Sequence, residues 1–371
     1  MSNLVDVKHY KKPDLEDLNL FEQRKKDHIR LALDAKTQRL AGDDFSRIKL
    51  VPQALPELNF SEVSLETKLL GQKVSSPHFI SSMTAGHKQG FEINSLLAEA
   101  SISKDWLFCV GSQKRSLINP EEISDIQQIA KKYKKVKLVS NIGLEEVIQF
   151  KIADILKLSN SINAVGLIIH ANALQEVFQN KKDVVMKNGF KAVAEIVKKS
   201  DVPVIVKEVG FGISSEMAQK LFDIGVQVVD VAGSGGTHWG MIEALRQDKK
   251  SLSARAIDHF ADWGMSTVDC LLDLQSYLNS LDDSEKIDSS VWASGGIRSG
   301  VDSAKALALG ASAVGLAQPL LKNLIRKNKI GSVDQVIQAM DQFDFELKTS
   351  MFCLGLKNVS EFSQRKVWYG R

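Results

Sequence analysis

The chain of 371 residues is 44% hydrophobic, enough to bury a large core, and its net charge of +3 leaves no basic surplus for nucleic acid or an anionic membrane surface. No uninterrupted apolar run is long enough to span a bilayer, and the start, MSNLVDVKHYKKPDLED, lacks the apolar centre of a secretory signal. Cys109, Cys270 and Cys353 are odd in number and scattered, which suits reduced thiols in a cytoplasmic protein rather than a disulfide framework.

Residues 1–70 do not share the pattern of the rest of the chain. The charged stretch FEQRKKDHIRLALDA predicts a helix within Leu15–Asp34, with Arg24 and His28 four apart and so on one face. Gly42–Leu70 is loop-like, with Pro52 and Pro56, then alternating residues suited to a short hairpin. The region is expected to be an N-terminal extension whose helix covers the mouth of the main fold.

From Pro77 a β/α rhythm starts, and residues 71–371 are expected to form one domain including the C-terminal helices. Apolar runs recur at His78–Met83, Phe108–Val110, Val136–Ser140, Ala164–Ile169, Val202–Val206, Val226–Val231, Val291–Ala293 and Ala313–Leu316. Helical patterns separate most of them, as at Ser124–Tyr133, Leu144–Leu158, Phe190–Lys199, Ser215–Ile224 and Val301–Leu309. A further helix is expected within DWGMSTVDCLLDLQSYL, followed by an acidic turn at Asp282, Asp283 and Glu285. Strands that are apolar throughout are buried on both faces, and eight of them alternating with helices predict a (β/α)8 barrel. A bare barrel takes roughly 250 residues, so the surplus fits the extension.

Polar and glycine-rich residues follow each strand: MTAG (Met83–Gly86), GSQKR (Gly111–Arg115), SNIG (Ser140–Gly143), HANALQE (His170–Glu176), KEVG (Lys207–Gly210), GSGGTHW (Gly233–Trp239), SGGIR (Ser294–Arg298) and AQP (Ala317–Pro319). Barrel active sites lie at that end, with a phosphate site after the last two strands. Lys207 would project into the mouth, to meet an anionic ligand or to pair with a carboxylate such as Glu208. The glycines of Ser234–Thr237 and the pair Gly295–Gly296 suit a phosphate cradle, although the first is also an ordinary turn. Asn141 suits either a heterocycle edge or a helix cap. No His, Cys or Asp stands at a chelating distance from His170, so a zinc site is not expected. Glu176 can hold magnesium if substrate phosphates supply the other oxygens, or be a solvated loop carboxylate; Glu243 leaves the same two readings open.

With these motifs in view, the sequence resembles the type 2, flavin-dependent isopentenyl-diphosphate isomerases. The likeness runs from about Arg24 almost to the C-terminus, through RKKDHI, MTAG, GSQK, SNIG, HANALQE, PVIVKEVGFGIS, VDVAGSGGT, ASGGIRSGVDSAKALALGA and MFCLG. It implies an FMN-binding barrel that interconverts isopentenyl and dimethylallyl diphosphate. Reduced FMN and Mg2+ would be required, NADPH would be the reductant, and a homo-oligomer (tetramer or octamer) would be the working form. By position, the resemblance gives Ser82, Met83, Thr84, Ala85, Ser112, Asn141, Lys207, Thr237, Gly295, Gly296, Arg298, Ala317 and Gln318 to the flavin. It gives Arg24, Lys25, His28, Ser112, Gln113, Lys114, His170, Asn172 and Gln175 to the substrate, and Glu176 to the metal. Gln175, Glu243, His170 and Lys207 would serve catalysis. Some positions depart from the family pattern: Ala85 where glycine is usual, Lys114 where arginine is usual, and Ala232 where serine is frequent. Lysine lacks the bidentate fork, which leaves Lys114 and Arg115 as competing partners for the diphosphate.

The same barrel also suits an FMN-dependent 2-hydroxy-acid oxidase. That chemistry wants a histidine base, for which His238 is the candidate, and it leaves the RKKDH helix and the HANALQE loop without a role. A non-catalytic metabolite-binding protein is disfavoured by the polar clustering at the strand ends.

Overall fold

A computed structural model describes residues 15–39, 44–85, 88–119, 124–179, 184–278, 290–326, 329–364 and 368–370. Residues 1–14, Gly86 and the acidic turn at Asp282–Glu285 lie outside these.

Eight parallel strands close into a barrel: β1 (His78–Ile80), β2 (Leu107–Cys109), β3 (Leu138–Gly143), β4 (Gly166–His170), β5 (Val204–Lys207), β6 (Val228–Asp230), β7 (Ser290–Ser294) and β8 (Ala313–Leu316). Each pairs with its neighbours in sequence, and β8 closes the ring against β1 through Val314 and His78. The expected N-terminal extension stands beside this (β/α)8 core. Side chains alternate with the period of two that strands impose. Phe79, Leu107, Val139, Ile168, Ile205, Val228, Trp292 and Ala313 fill the barrel as one cluster. Ile80, Phe108, Leu167, Val206, Val229, Ala293 and Val314 face the helices in another.

The helices that concern the site are α1 (Leu15–Ala32), α2 (Leu144–Gln149), α3 (Ala173–Phe178), α4 (Trp239–Arg246), α5 (Gly300–Ala308), α6 (Gln318–Leu324) and α7 (Val333–Cys353). The helical pattern over Leu144–Leu158 is two helices, because Phe150 turns to extended backbone (ψ 163) before a second starts at Ile152.

The extension divides between the two ends of the barrel. A hairpin of Thr67–Leu69 and Gln72–Val74 plugs the end where the strands begin, adding Leu69 and Val74 to the interior cluster. Its two-residue turn holds Leu70 and Gly71 at φ 50° and 73°, the left-handed pair of a type I′ turn. Gly166 at the start of β4 makes room for Leu70, whose Cδ1 would lie 2.6 Å from a Cβ there. α1 lies at the opposite end, over the strand termini that carry the polar loops.

Outside the barrel, buried His78 joins Asp344 of α7 (2.9 Å) and Ser303 of α5 (2.9 Å). His78 and Ser303 are both inaccessible to solvent, so this Ser–His–Asp arrangement staples β1 to the C-terminal helices and is no nucleophile.

Candidate active site

Alternation along the strands delivers Asn141, His170, Lys207, Asp230 and Ser294 to the inside of the barrel at its C-terminal rim. Lys207 Nζ donates to Asp230 Oδ2 (2.8 Å) and to Ser294 Oγ (2.7 Å), and Ser294 Oγ donates to Asp230 Oδ1 (2.8 Å). All three side chains are buried. The partner of Lys207 is therefore Asp230, its neighbour in register across β5 and β6. Glu208 points away, and its Oε2 accepts the Phe211 amide at 2.6 Å. Asn141 spends its amide on Val110 O (3.0 Å) and on His170 Nδ1 (2.8 Å). The carbonyl of Asn141 makes Nδ1 the protonated nitrogen of His170, leaving the Nε2 lone pair free to accept. Burial drives His170 down to about 4, so the ring is neutral at pH 7.

Above this floor lies a cavity lined by Ser82, Met83, Thr84, Lys207, Thr237, Gly295, Gly296, Arg298, Ala317 and Gln318. Gly295 and Gly296 adopt φ 87° and 75°, and a Cβ on Gly295 would lie 2.2 Å from Gly233 O. The loops after β6 and β7 can stack this closely only as bare backbone. Of the two helices starting here, α5 has its N-terminus occupied: Ser299 caps it, and Gly300 N donates to Glu346 (2.6 Å). α6 starts with no side-chain cap, at Gln318 on the cavity wall. Ser82 Oγ is buried without a hydrogen-bond partner in this wall, as expected of a group that a ligand satisfies. The residues present fit a phosphate-bearing cofactor such as FMN.

A second cavity adjoins the first, lined by Phe21, Arg24, Lys25, His28, Ser112, Lys114, Asn141, Glu146, His170, Gln175 and Glu176. Lys25, His28, Ser82, Met83, Lys207, Val209 and Trp239 line both. α1 forms the roof and is clipped down behind its C-terminus. Thr37 O accepts from His238 N (2.8 Å), Arg39 N donates to Gly236 O (2.8 Å), and Arg298 donates to Arg39 O (2.9 Å). Inside the roof, fully buried Glu243 of α4 takes three donors: His28 Nε2 (2.8 Å), Gln175 Nε2 (3.0 Å) and Arg246 (2.7 Å). Burial would raise its pKa, but the His28 hydrogen bond and the other donors win and hold it at about 2. Glu243 thus joins α1, α3 and α4 as a permanent anion.

The cations of the roof are under strain. Burial, then the adjacent Arg24 guanidinium, brings Lys25 down to about 8; burial also lowers Arg24 and His28. Arg24 Nε is buried without a partner. Such a cluster suits an anion with several oxygens. Lys114 and not Arg115 lines it, Arg115 facing Glu22 (3.9 Å) and a separate polar cavity. Among the described residues no group of three or more His, Cys, Asp or Glu could hold a metal. Glu176 offers one carboxylate, which fits magnesium only with oxygens from a bound phosphate ester.

Four expected residues line neither cavity: Glu243, which is fully buried and reaches the site only through its donors, and Asn172, Gln113 and Ala85. Asn172 is turned inward, accepting from Gln175 N (2.8 Å) and donating to Val209 O (2.8 Å), so it shapes the α3 turn. Gln113 is buried behind Ser112, where its Oε1 accepts from Ser140 Oγ (2.5 Å). Ala85 is buried beside it and lines the cavity of Arg115. Sequence reasoning missed Asp230, Glu146, Trp239 and the Thr37–Arg39 clip. The alternation of VVDVAG, which puts Asp230 on the face of Val228, was the available signal for the first.

The family model described as FMN-dependent dehydrogenase matches residues 29–141 and 130–369. Among solved structures, a flavocytochrome b2 variant with pyruvate bound superposes with a TM-score of 0.67 at 20% identity, covering 96% of this chain and 86% of that one. A mandelate oxidase variant with an FMN monooxide adduct gives 0.61 at 15% identity, covering 96% and 99%. These establish the fold. Closer in sequence are proteins named isopentenyl-diphosphate delta-isomerase. That of Bdellovibrio bacteriovorus is 40% identical over 94% of this chain and 97% of its own length. That of Legionella pneumophila strain Lens is 41% identical over 93% and 97%, and that of Oceanobacillus iheyensis 35% over 91% and 93%. On an FMN-dependent dehydrogenase barrel, this chain belongs to the FMN-dependent isopentenyl-diphosphate delta-isomerase family.

Proposed function

We propose that this chain interconverts isopentenyl and dimethylallyl diphosphate in isoprenoid biosynthesis, using reduced FMN, Mg2+ and NADPH as the reductant, as a cytoplasmic homo-oligomer. The observation that carries the reading is the shared wall between a glycine-lined cavity and a cation-lined one under a single helical roof. Residues 1–70 act as an extension whose helix α1 closes the site, and 71–371 as the catalytic barrel.

Shifting the double bond requires a proton at one carbon and its removal from another, through a tertiary cation that water would quench. The chain's part is to exclude water and to hold the diphosphate by its own charges. Arg24, Lys25 and Lys114 take the diphosphate oxygens, and Glu176 would hold the magnesium, which would supply further positive charge against them. Phe21, Met83, Val209 and Trp239 supply apolar walls for the hydrocarbon. When bound, reduced FMN supplies an acid–base centre and an electron-rich face against the developing charge. Neutral His170 receives the second proton, and Gln175, anchored on Glu243, orients groups on the same cavity wall. Lys207 holds the flavin from the cavity floor, supported there by Asp230 and Ser294.

The oxidase alternative loses its base. His238 Nδ1 accepts from Met241 N (2.9 Å), so Nε2 carries the hydrogen, which it donates to Phe260 O (3.0 Å). Both nitrogens are thereby spent on backbone.

The test is anaerobic incubation of the FMN-loaded protein with isopentenyl diphosphate, Mg2+ and NADPH. Dimethylallyl diphosphate should appear without stoichiometric loss of NADPH. Turnover of a 2-hydroxy acid with no isomerisation would replace this reading by the oxidase one.

Lys25 adds a proton-linkage prediction. Its ammonium is held at about 8 in the free protein, below its ordinary 10.5, and a bound diphosphate favours the charged form. Binding above pH 8 should therefore take up a proton at Lys25. Titration calorimetry with inorganic pyrophosphate at pH 8.5 in two buffers of different ionisation heat should show more proton uptake for wild type than for Lys25→Met, the ligand's own titration being common to both; equal uptake by the two proteins would contradict the assignment.

A further inference from the structure

A carboxylate on the wall of a site for a diphosphate is a physical conflict that needs a cause. Glu146 is such a group. Its side chain is 7% exposed, it lines the cation-lined cavity, and its Oε1 stands 2.5 Å from Lys114 Nζ. The backbone is arranged to admit it: Gly143, one turn earlier at the end of β3, leaves the space where a Cβ would lie 2.3 Å from Glu146 Oε2. α2 starts there, with Glu146 in its first turn.

We infer that Glu146 is a positioning residue for Lys114, fixing the ammonium at the diphosphate end of the cavity; the inference rests on the diphosphate reading of that cavity. Lysine is a point charge on four flexible carbons and has no planar fork to organise two phosphate oxygens. Left alone in a crowd of cations it would swing outward, away from Arg24 and Lys25. A buried carboxylate in contact holds it in place, so less freedom is lost when the anion arrives. One ammonium has three donors, and it can keep Glu146 while meeting phosphate oxygens.

The experiment is a double-mutant cycle with FMN content and circular dichroism as checks on folding, read as the Kd of inorganic pyrophosphate and as KM and kcat for isopentenyl diphosphate. Glu146→Gln should raise Kd and KM about 10-fold while kcat changes less than about threefold. In a Lys114→Met background, Glu146→Gln should add nothing. Lys114→Arg placed on Glu146→Gln should recover most of the loss, because the guanidinium brings its own geometry. Glu146→Asp, which keeps the charge but shortens the reach, should lie between and serves if the glutamine variant does not fold. Tighter pyrophosphate binding by Glu146→Gln would overturn the inference, showing mere repulsion by the carboxylate. An undiminished effect in the Lys114→Met background would overturn it as well. If the wild-type protein binds no pyrophosphate, the diphosphate reading itself fails, which is a distinguishable result.

Discussion

Lys207→Met should give a protein that purifies without yellow colour and unfolds at lower denaturant. Two effects combine. The ammonium lies on the wall shared by both cavities, so its loss removes a cation from the floor of the glycine-lined cavity proposed for the cofactor. It also strands Asp230, whose carboxylate is 1% exposed and would keep only Ser294 as a partner. Breaking a buried pair by deleting one member costs about 3–5 kcal/mol, chiefly from the charge left behind. The double variant Lys207→Met with Asp230→Asn separates these. It should regain most of the stability, since no uncompensated charge remains, but still hold FMN at least about 10-fold more weakly than wild type. Bound flavin absorbance and urea titrations of both variants give the two readings. Wild-type flavin content in the double variant would show that Lys207 is structural and nothing more.

The barrel was legible because its cause is simple. Strands buried on both faces must be apolar throughout, and eight such runs separated by helical patterns leave few other solutions. The cofactor cavity was legible for a related reason: glycines mark where backbone must approach backbone or ligand, as at Gly295 and Gly296. What escaped are the partners that only closure creates. Lys207 stands next to Glu208 in the chain, which suggests a pair, yet adjacent residues on a strand face opposite ways, and period two alone argues against that contact. Asp230, twenty-three residues on, becomes the neighbour through the β5–β6 register. Glu146 reads in LEEVIQF as one of two acids on a charged helix, and nothing local distinguishes it from Glu145. Only the meeting of the loops after β2 and β3 brings it to Lys114. Gln113 and Asn172 fail in the other direction. An amide serves as readily to fix a turn as to touch a ligand, and here both are turned inward.

Glu243 is the group on which the roof depends, and its replacement should have the larger effect on turnover. Glu243→Gln keeps the volume but offers one acceptor oxygen where the carboxylate gives two, and it aims an amide N–H₂ at a neighbouring donor. At least one of His28, Gln175 and Arg246 then loses its partner inside a buried site. Hydrogen bonds to charged groups are worth about 1.5–3 kcal/mol each. With α1 and α3 both affected, kcat/KM for isopentenyl diphosphate should fall about 10²–10³-fold, or roughly 3–4 kcal/mol. Both a higher KM and a lower kcat should contribute, because the same carboxylate positions a cation-bearing helix and Gln175. The pH dependence of stability tests the cause independently of activity. A carboxyl held at about 2 when folded, against 4.5 when free, adds stability that is fully present above 4.5 and is lost as pH falls through 2. Its size is on the order of 3 kcal/mol. The stability gap between wild type and Glu243→Gln in urea should therefore be wide at pH 6 and visibly narrower at pH 3. A gap that stays constant over that interval would mean that the carboxylate is not held by its three donors. Glu243 would then be acting by shape alone, and the roof would owe its position to the Thr37–Arg39 clip.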